Sequence, residues 1–294
     1  MEQQILNALV LGSVLTLFSL GLSLAWGSLD VLNMAHGALF VFGAFAAHKL
    51  VEGSGLPFLV GGLAAILGAG LLAMVMELTV LRRIRTTFPS RRQRELSTLV
   101  ATVGLGTVID EVVRDSTKGV PFGVPSFTIK QTEILGLSIS NIQIIIVVST
   151  IVLAVAVDWF MRRSRQGRAI RTVAFDSATA EAMGIRVNSV AAGTMFISGA
   201  LAGLAGLLVT LNISGVDVDA GHQYLLIAFA VLIVGGVGSV RGAIAAAFLI
   251  AVTQTAVVAY GPAQWQAGVA FIFILVVLIF RPGGLFARVQ AERS

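Results

Sequence analysis

The sequence predicts an all-α integral membrane protein, a polytopic helical bundle of about eight or nine transmembrane segments forming one domain over residues 1–294. Three observations carry this prediction. The chain is 56% hydrophobic and only 12% charged, with a mean hydropathy of +0.93. A soluble domain has about 25% charged residues, so a chain this apolar cannot cover itself with polar surface. Apolar runs long enough for a helix to cross the ~30 Å hydrocarbon layer recur along it, separated by short polar loops. The 32 glycines suit membrane helices, which approach one another through small residues.

The first apolar run covers residues 5–26. Met1-Glu-Gln-Gln before it has no basic n-region, and the run is longer than the ~7–15 residues of a signal-peptide core, so it is expected to be a retained span. Residues 31–50 form the second run and hold Asn33, His36 and Gly37; residues 57–81 form the third. A basic loop follows, with Arg82, Arg83, Arg85, Arg91, Arg92 and Arg94. The fourth run is 96–113, with Asp110 and Glu111 at its far end, and a polar loop spans 114–141. The fifth run, 142–160, leads into a polar island at 161–188. The later runs are 189–211, 224–234, 243–259 and 265–280. Residues 224–234 are short before a glycine-rich stretch, so 224–259 is either two spans or a re-entrant hairpin.

Arginines orient the spans. With the loop after residue 81 in the cytoplasm, alternation places the island, Arg241, Arg281, Arg288 and Arg293 inside as well. Of the 17 arginines only Arg114 falls outside, together with Lys49, Lys118 and Lys130. This pattern accounts for the net charge of +5 by membrane topology and leaves no basic patch for nucleic acid.

The island carries Arg162, Arg163, Arg165, Arg168, Arg171 and Arg186, and within it a short helix is predicted. Asp176 or Ser177 caps its start, and Gly184 sits where a left-handed residue ends it. A helix of about seven residues is ~10 Å long, too short for a bilayer but long enough for a groove on another protein.

Polar residues at membrane depth are costly and commonly face a water-filled path or a bundle interior. Asn33 and His36 are three apart and share a face if both are helical, and Gly37 beside them permits a backbone break. They either border a translocation path or hydrogen-bond a neighbouring helix. Glu77, about one turn from Arg82, is expected to snorkel to the cytoplasmic boundary, Asp158 to pair with Arg162, and Asp110 and Glu111 to lie at a solvated rim. Gly199 and Gly203 mark a close helix contact within the protomer.

No chain of mid-membrane carboxylates suggests an ion relay, which counts against a secondary transporter. There is no cysteine, no GxxxxGK[ST] loop, no HExxH and no GxSxG, and His36, His48 and His222 are scattered. The chain is therefore not expected to be an enzyme. Its energy source is expected on a partner that hydrolyses ATP and docks on the island.

Three stretches resemble one family. GLSLAWGSLDVLNMAHGALFVFGAF (21–45) resembles the opening of bacterial high-affinity branched-chain amino-acid permeases, the LivH-type membrane subunits of an ABC importer. Residues 169–206 resemble their coupling segment and the helix after it, and 228–252 their glycine-rich hairpin. The resemblance implies a second related permease (LivM type), two ABC ATPase subunits holding ATP and Mg, and a periplasmic substrate-binding protein docking partly on 114–141. It implies a multi-pass protein of the bacterial inner membrane. It implies that Asp176, Ala180, Glu181, Ala182 and Gly184 meet an ATPase, and that the cargo is a branched-chain or related amino acid. Relatives that carry urea, amides or aromatic solutes leave the substrate open.

Overall fold

A computed structural model describes residues 1–29, 32–88, 90–125, 127–134, 137–281 and 283–285. Asp30, Val31 (the expected start of the second run) and the tail arginines Arg288 and Arg293 lie outside these. Among the described residues, seven helical stretches are long and apolar enough to cross a membrane. They are α1 (Glu2–Leu29), α3 (Phe58–Met76) continued through a widened turn into α4 (Arg82–Thr87), α5 (Arg91–Thr117), α6 (Asn141–Arg163), α9 (Val187–Asn212), α11 (Val240–Tyr260) and α12 (Gln266–Phe280) with its short lead-in. Two apolar helices are shorter: α2 (His36–His48, 13 residues) and α10 (Ala220–Gly235, 16 residues). Neither has the ~20 residues that a span needs. Two small helices, α7 (Arg165–Phe175) and α8 (Ser177–Ala182), complete the helical set.

The chain is a polytopic helical membrane protein, as its hydropathy predicts. Helices α1 and α9 are buried along most of their length, and α5, α6 and α12 are exposed along most of theirs. The exposed rows are aliphatic and suited to lipid: Leu59, Leu63, Leu67 and Leu71 on α3, and Ile144, Val148, Ile151 and Val155 on α6. The centre holds Phe18, Phe40, Leu15 and Leu39 with no exposed surface.

The packing repeats itself. Helix α1 lies along α11 as α9 lies along α3. Helix α2 packs on α3, α9 and α5, and α10 packs on α11, α1 and α12. Exchanging α1, α2, α3 and α5 for α9, α10, α11 and α12 thus reproduces the arrangement. Phe248 covers Gly12 between α11 and α1, and Phe196 covers Gly70 between α9 and α3. Along α9 and α3, Gly199 meets Ala73 and Gly203 meets Ala69, so these two helices run antiparallel and the glycine pair packs within the protomer. Two halves of opposite orientation that place short helices at their junction are the plan of an inverted-repeat transporter.

Three local expectations change. The basic stretch after residue 81 is not a loop: α4 and the start of α5 are helical, with Ser90 Oγ accepting the Gln93 N–H at 3.2 Å. The loop 114–141 contains a two-stranded hairpin, β1 (Gln131–Ile134) and β2 (Leu137–Ser140), so the protein is not wholly helical. Glu77 does not snorkel to a solvated boundary: it is 1% exposed and pairs with Arg85 across the widened turn Glu77–Leu81.

Candidate functional site

The island begins with a tight corner. Ser164 ends α6 and caps α7, its Oγ accepting the Gly167 N–H at 2.8 Å. A Cβ at residue 167 would strike the Phe160 carbonyl and Met161, so only glycine lets α7 fold back this closely. Ile170 and Val173 turn inward from α7 while Arg165 and Arg168 stay exposed.

Helix α8 is closed at both ends by its own sequence. Asp176 Oδ1 accepts the Ala178 N–H at 2.9 Å, and Oδ2 accepts the Thr179 hydroxyl at 2.6 Å. At the other end the Gly184 N–H reaches the Glu181 carbonyl at 2.9 Å, and the Ile185 N–H reaches the Ala180 carbonyl at 3.0 Å. With Gly184 at φ +81°, this is a Schellman closure. Ala180 is fully buried in a small apolar cluster with Val173 and Val187, beside Ile185 and Val190. That cluster fixes α8 to α7 and α9, while Glu181 and Ala182 face out. Phe175 and Met183, at either end of α8, are 74% and 71% exposed.

The second region is the crossing of α2 and α10. Asn33 is not on a helix; it lies in the turn before α2, its Oδ1 accepting the Ala35 N–H at 3.1 Å and its carbonyl the His36 N–H at 3.2 Å. The shared helical face expected for Asn33 and His36 therefore does not form. His36, the first residue of α2, is fully buried, with Nε2 3.0 Å from the Phe18 carbonyl and Nδ1 3.5 Å from Ser198 Oγ. Phe18 lies about 16 Å along α1 from Leu29, so α2 starts deep in the bilayer rather than at its edge. Thr102 of α5 accepts the Met34 N–H at 3.2 Å and holds the same segment from the other side. Gly37 and Gly221 are each the second residue of their helix, and a Cβ on either would lie against the other's carbonyl oxygen.

A third group joins α5 to the start of α10, on the side of the α2–α10 crossing away from α7 and α8. Arg114 Nη2 lies 3.2 Å from Asp219 Oδ1, and its Nε lies 3.8 Å from Glu111 Oε2. His222 Nε2 lies 3.8 Å from Asp110 Oδ2. Asp110 is 7% exposed, so the solvated rim expected for it is corrected, whereas Glu111 is exposed. Asp110 Oδ1 is buried without a hydrogen-bond partner among the described residues. Below this group, Gly104 and Thr107 of α5 and Leu226 of α10 are exposed, and a Cβ at Gly104 would meet nothing within 4 Å. Gly104 and Thr107 interrupt an otherwise aliphatic exposed face of α5, which carries Val100, Val103, Val108 and Val112.

Residues 4–280 match the family model described as the branched-chain amino acid transport system / permease component. The chain belongs to this family. Among its relatives, the high-affinity branched-chain amino acid transport system permease protein BraD of Pseudomonas aeruginosa is 29% identical, covering 99% of this chain and 97% of the relative. LivH of Salmonella typhimurium is 26% identical over the same shares. A probable branched-chain amino acid transport permease protein LivH of Methanocaldococcus jannaschii is 24% identical, covering 97% and 92%. In fold, the chain is similar to one in PsaBC from Streptococcus pneumoniae in complex with Fab. The TM-score is 0.50 with 15% identity, over 97% of this chain and 93% of that one.

Within this permease the structure groups Asp176, Ala180, Glu181, Ala182 and Gly184 on one short helix, and Asn33, His36 and Gly37 at one crossing. Arg114, Asp219 and His222 were not singled out from the sequence as a site. Their signal is complementary charge in two stretches assigned to the same side, Asp110 to Arg114 and Asp217 to His222. Asp158 does pair with Arg162, at 2.9 Å.

Proposed function

We propose that this chain is the membrane-spanning subunit of an ABC importer in the bacterial inner membrane, carrying branched-chain or related amino acids delivered by a periplasmic binding protein. The observation that carries the reading is the full-length family match together with α8, a capped short helix that leaves Glu181 and Ala182 exposed. In this proposal two ATPase subunits, which hold ATP and Mg, receive α8 in a groove. Glu181 makes the polar contact with Ala182 packed beside it, Phe175 and Met183 anchor its ends, and Asp176 and Gly184 keep its shape. Exposed aromatic and Met side chains suit such anchoring.

A second, LivM-type permease packs on the face of α5 and α10, where the exposed small residues Gly104 and Thr107 permit a close helix approach. The arginine-rich end is cytoplasmic, and the end bearing residues 114–141 faces the binding protein. ATP binding then draws the ATPases together and moves α8. Because α8 is fixed to α7 and α9, the motion reaches the crossing of α2 and α10. Asn33, His36 and Gly37 at that crossing set the width of the path between its two states. Affinity resides in the binding protein, since a tight site in the path would slow release.

The test is Glu181→Lys in the importer assembled with its partners in proteoliposomes. Expected is loss of ATP-driven leucine uptake, by tenfold or more, with normal insertion of the permease. Uptake at the wild-type rate would remove α8 from the ATPase contact. Concentrative uptake by this chain alone, driven by an ion gradient, would overturn the importer reading itself.

A further inference from the structure

We infer that Asp110 and Arg114 form a binding site for the two charges of a zwitterionic α-amino acid, entered when His222 and Asp219 give up their places. The inference rests on the proposal above that the cargo is an amino acid. Residues 110 and 114 are four apart on α5, so they lie one turn apart on the same face. Their backbones are about 6 Å apart along the helix axis, so a carboxylate and a guanidinium one turn apart can meet the ammonium and the carboxylate held on one carbon. The guanidinium fork binds a carboxylate in two places, and the Asp110 carboxylate accepts an ammonium.

The present partners have the substrate's chemistry. Arg114 holds the Asp219 carboxylate at 3.2 Å, where the cargo carboxylate would sit. Asp110 faces the His222 ring nitrogen at 3.8 Å, where the ammonium would sit. The second, independent sign of a ligand is Asp110 Oδ1, buried and without a partner among the described residues. A buried carboxylate oxygen is costly without a donor, and an ammonium supplies one. Both stand-ins come from one stretch of chain, three residues apart at the start of α10, so one small movement of α10 withdraws them together. Their links to α5 are weak because Arg114, Asp219 and His222 are each 46% exposed or more. Gly104, less than two turns from Asp110 on α5, has open space where a side chain would stand.

The experiment uses the complete importer in proteoliposomes with radiolabelled leucine. Asp110→Asn and Arg114→Gln are expected to cut uptake at least tenfold, while leucine-loaded binding protein still stimulates ATP hydrolysis within twofold of wild type. Arg114→Lys is expected to restore at least a third of the rate. Asp219→Asn and His222→Gln remove only the stand-ins and are expected to keep uptake within threefold. Equal loss in all four variants would mean that the group is a structural tie, and wild-type uptake in the first two would also overturn the site. Should Asp110→Asn fail to assemble, the comparison of Arg114→Gln with Asp219→Asn decides alone. A wild-type importer that moves no leucine or related amino acid would instead overturn the functional proposal.

Discussion

Gly184 isolates backbone conformation from packing. Its φ of +81° is one that an L side chain rarely adopts, and a Cβ there would meet no atom within 4 Å. Gly184→Ala therefore acts only through strain of about 1–2 kcal/mol at the end of α8. The expected result is an unchanged yield of folded permease and a several-fold weaker co-purification of the ATPases. If retention is equal, the Schellman closure is not part of the coupling contact. Glu77 is the opposite case, a charge 1% exposed whose side chain meets Arg85, itself 21% exposed. Arg85 also reaches Asn188 Oδ1 at 3.4 Å and so ties α4 to the start of α9. Removing one member of a buried pair strands the other, so Glu77→Gln is expected to cost about 3 kcal/mol, the lower end because Arg85 keeps some water. Replacing both by Met is expected to recover most of that loss in thermal unfolding in detergent. Unequal sensitivity in the reverse order would mean that the charges themselves, not their burial, hold the turn.

At the scale of elements the decisive contact is the crossing of α2 and α10. Gly221 leaves no space for a side chain against the Gly37 carbonyl. Gly221→Val must push the two short helices apart, and is expected to lower the folded yield several-fold. Gly104→Val, on the open face of α5, is expected to leave it unchanged in size-exclusion profiles. Long runs such as 57–81 and 265–280 were legible because hydropathy reports burial in lipid, which depends only on local composition. The brevity of residues 224–234 was visible too, and α10 begins only four residues earlier. Helix α7 was obscured because its arginines resembled a loop, although Ile170 and Val173 three apart signal an inward face. Asn33 was misplaced on a helix, since nothing local says that α2 starts at His36. That start is fixed by Phe18, Ser198 and Thr102, all distant in sequence. The same holds for the site: α8 was legible because its caps lie within a few residues of it, whereas Arg114 and Asp219 are 105 apart.

For the whole molecule, sidedness decides whether α8 and the Asp110–Arg114 group can do what is proposed of them. The arginine distribution argues for α4, α7 and α8 in the cytoplasm, because basic loops resist translocation. The inverted packing is consistent with this at the level of geometry alone. It turns the two halves over relative to each other, so α2 and α10 start deep in the bilayer from opposite orientations. Geometry of that kind is unchanged if the molecule is inverted as a body, so sidedness needs its own measurement. The absence of cysteine makes the measurement direct, since any introduced thiol is the only one. Met183→Cys and Val120→Cys place it at exposed positions at opposite ends of the bundle. In intact spheroplasts a membrane-impermeant maleimide is expected to label Val120→Cys and to spare Met183→Cys, and in inside-out vesicles the order should reverse. Labelling of Met183→Cys in intact cells would put α8 on the side without ATP. The coupling role and the route of the amino acid would then both fall, however well the fold itself stood.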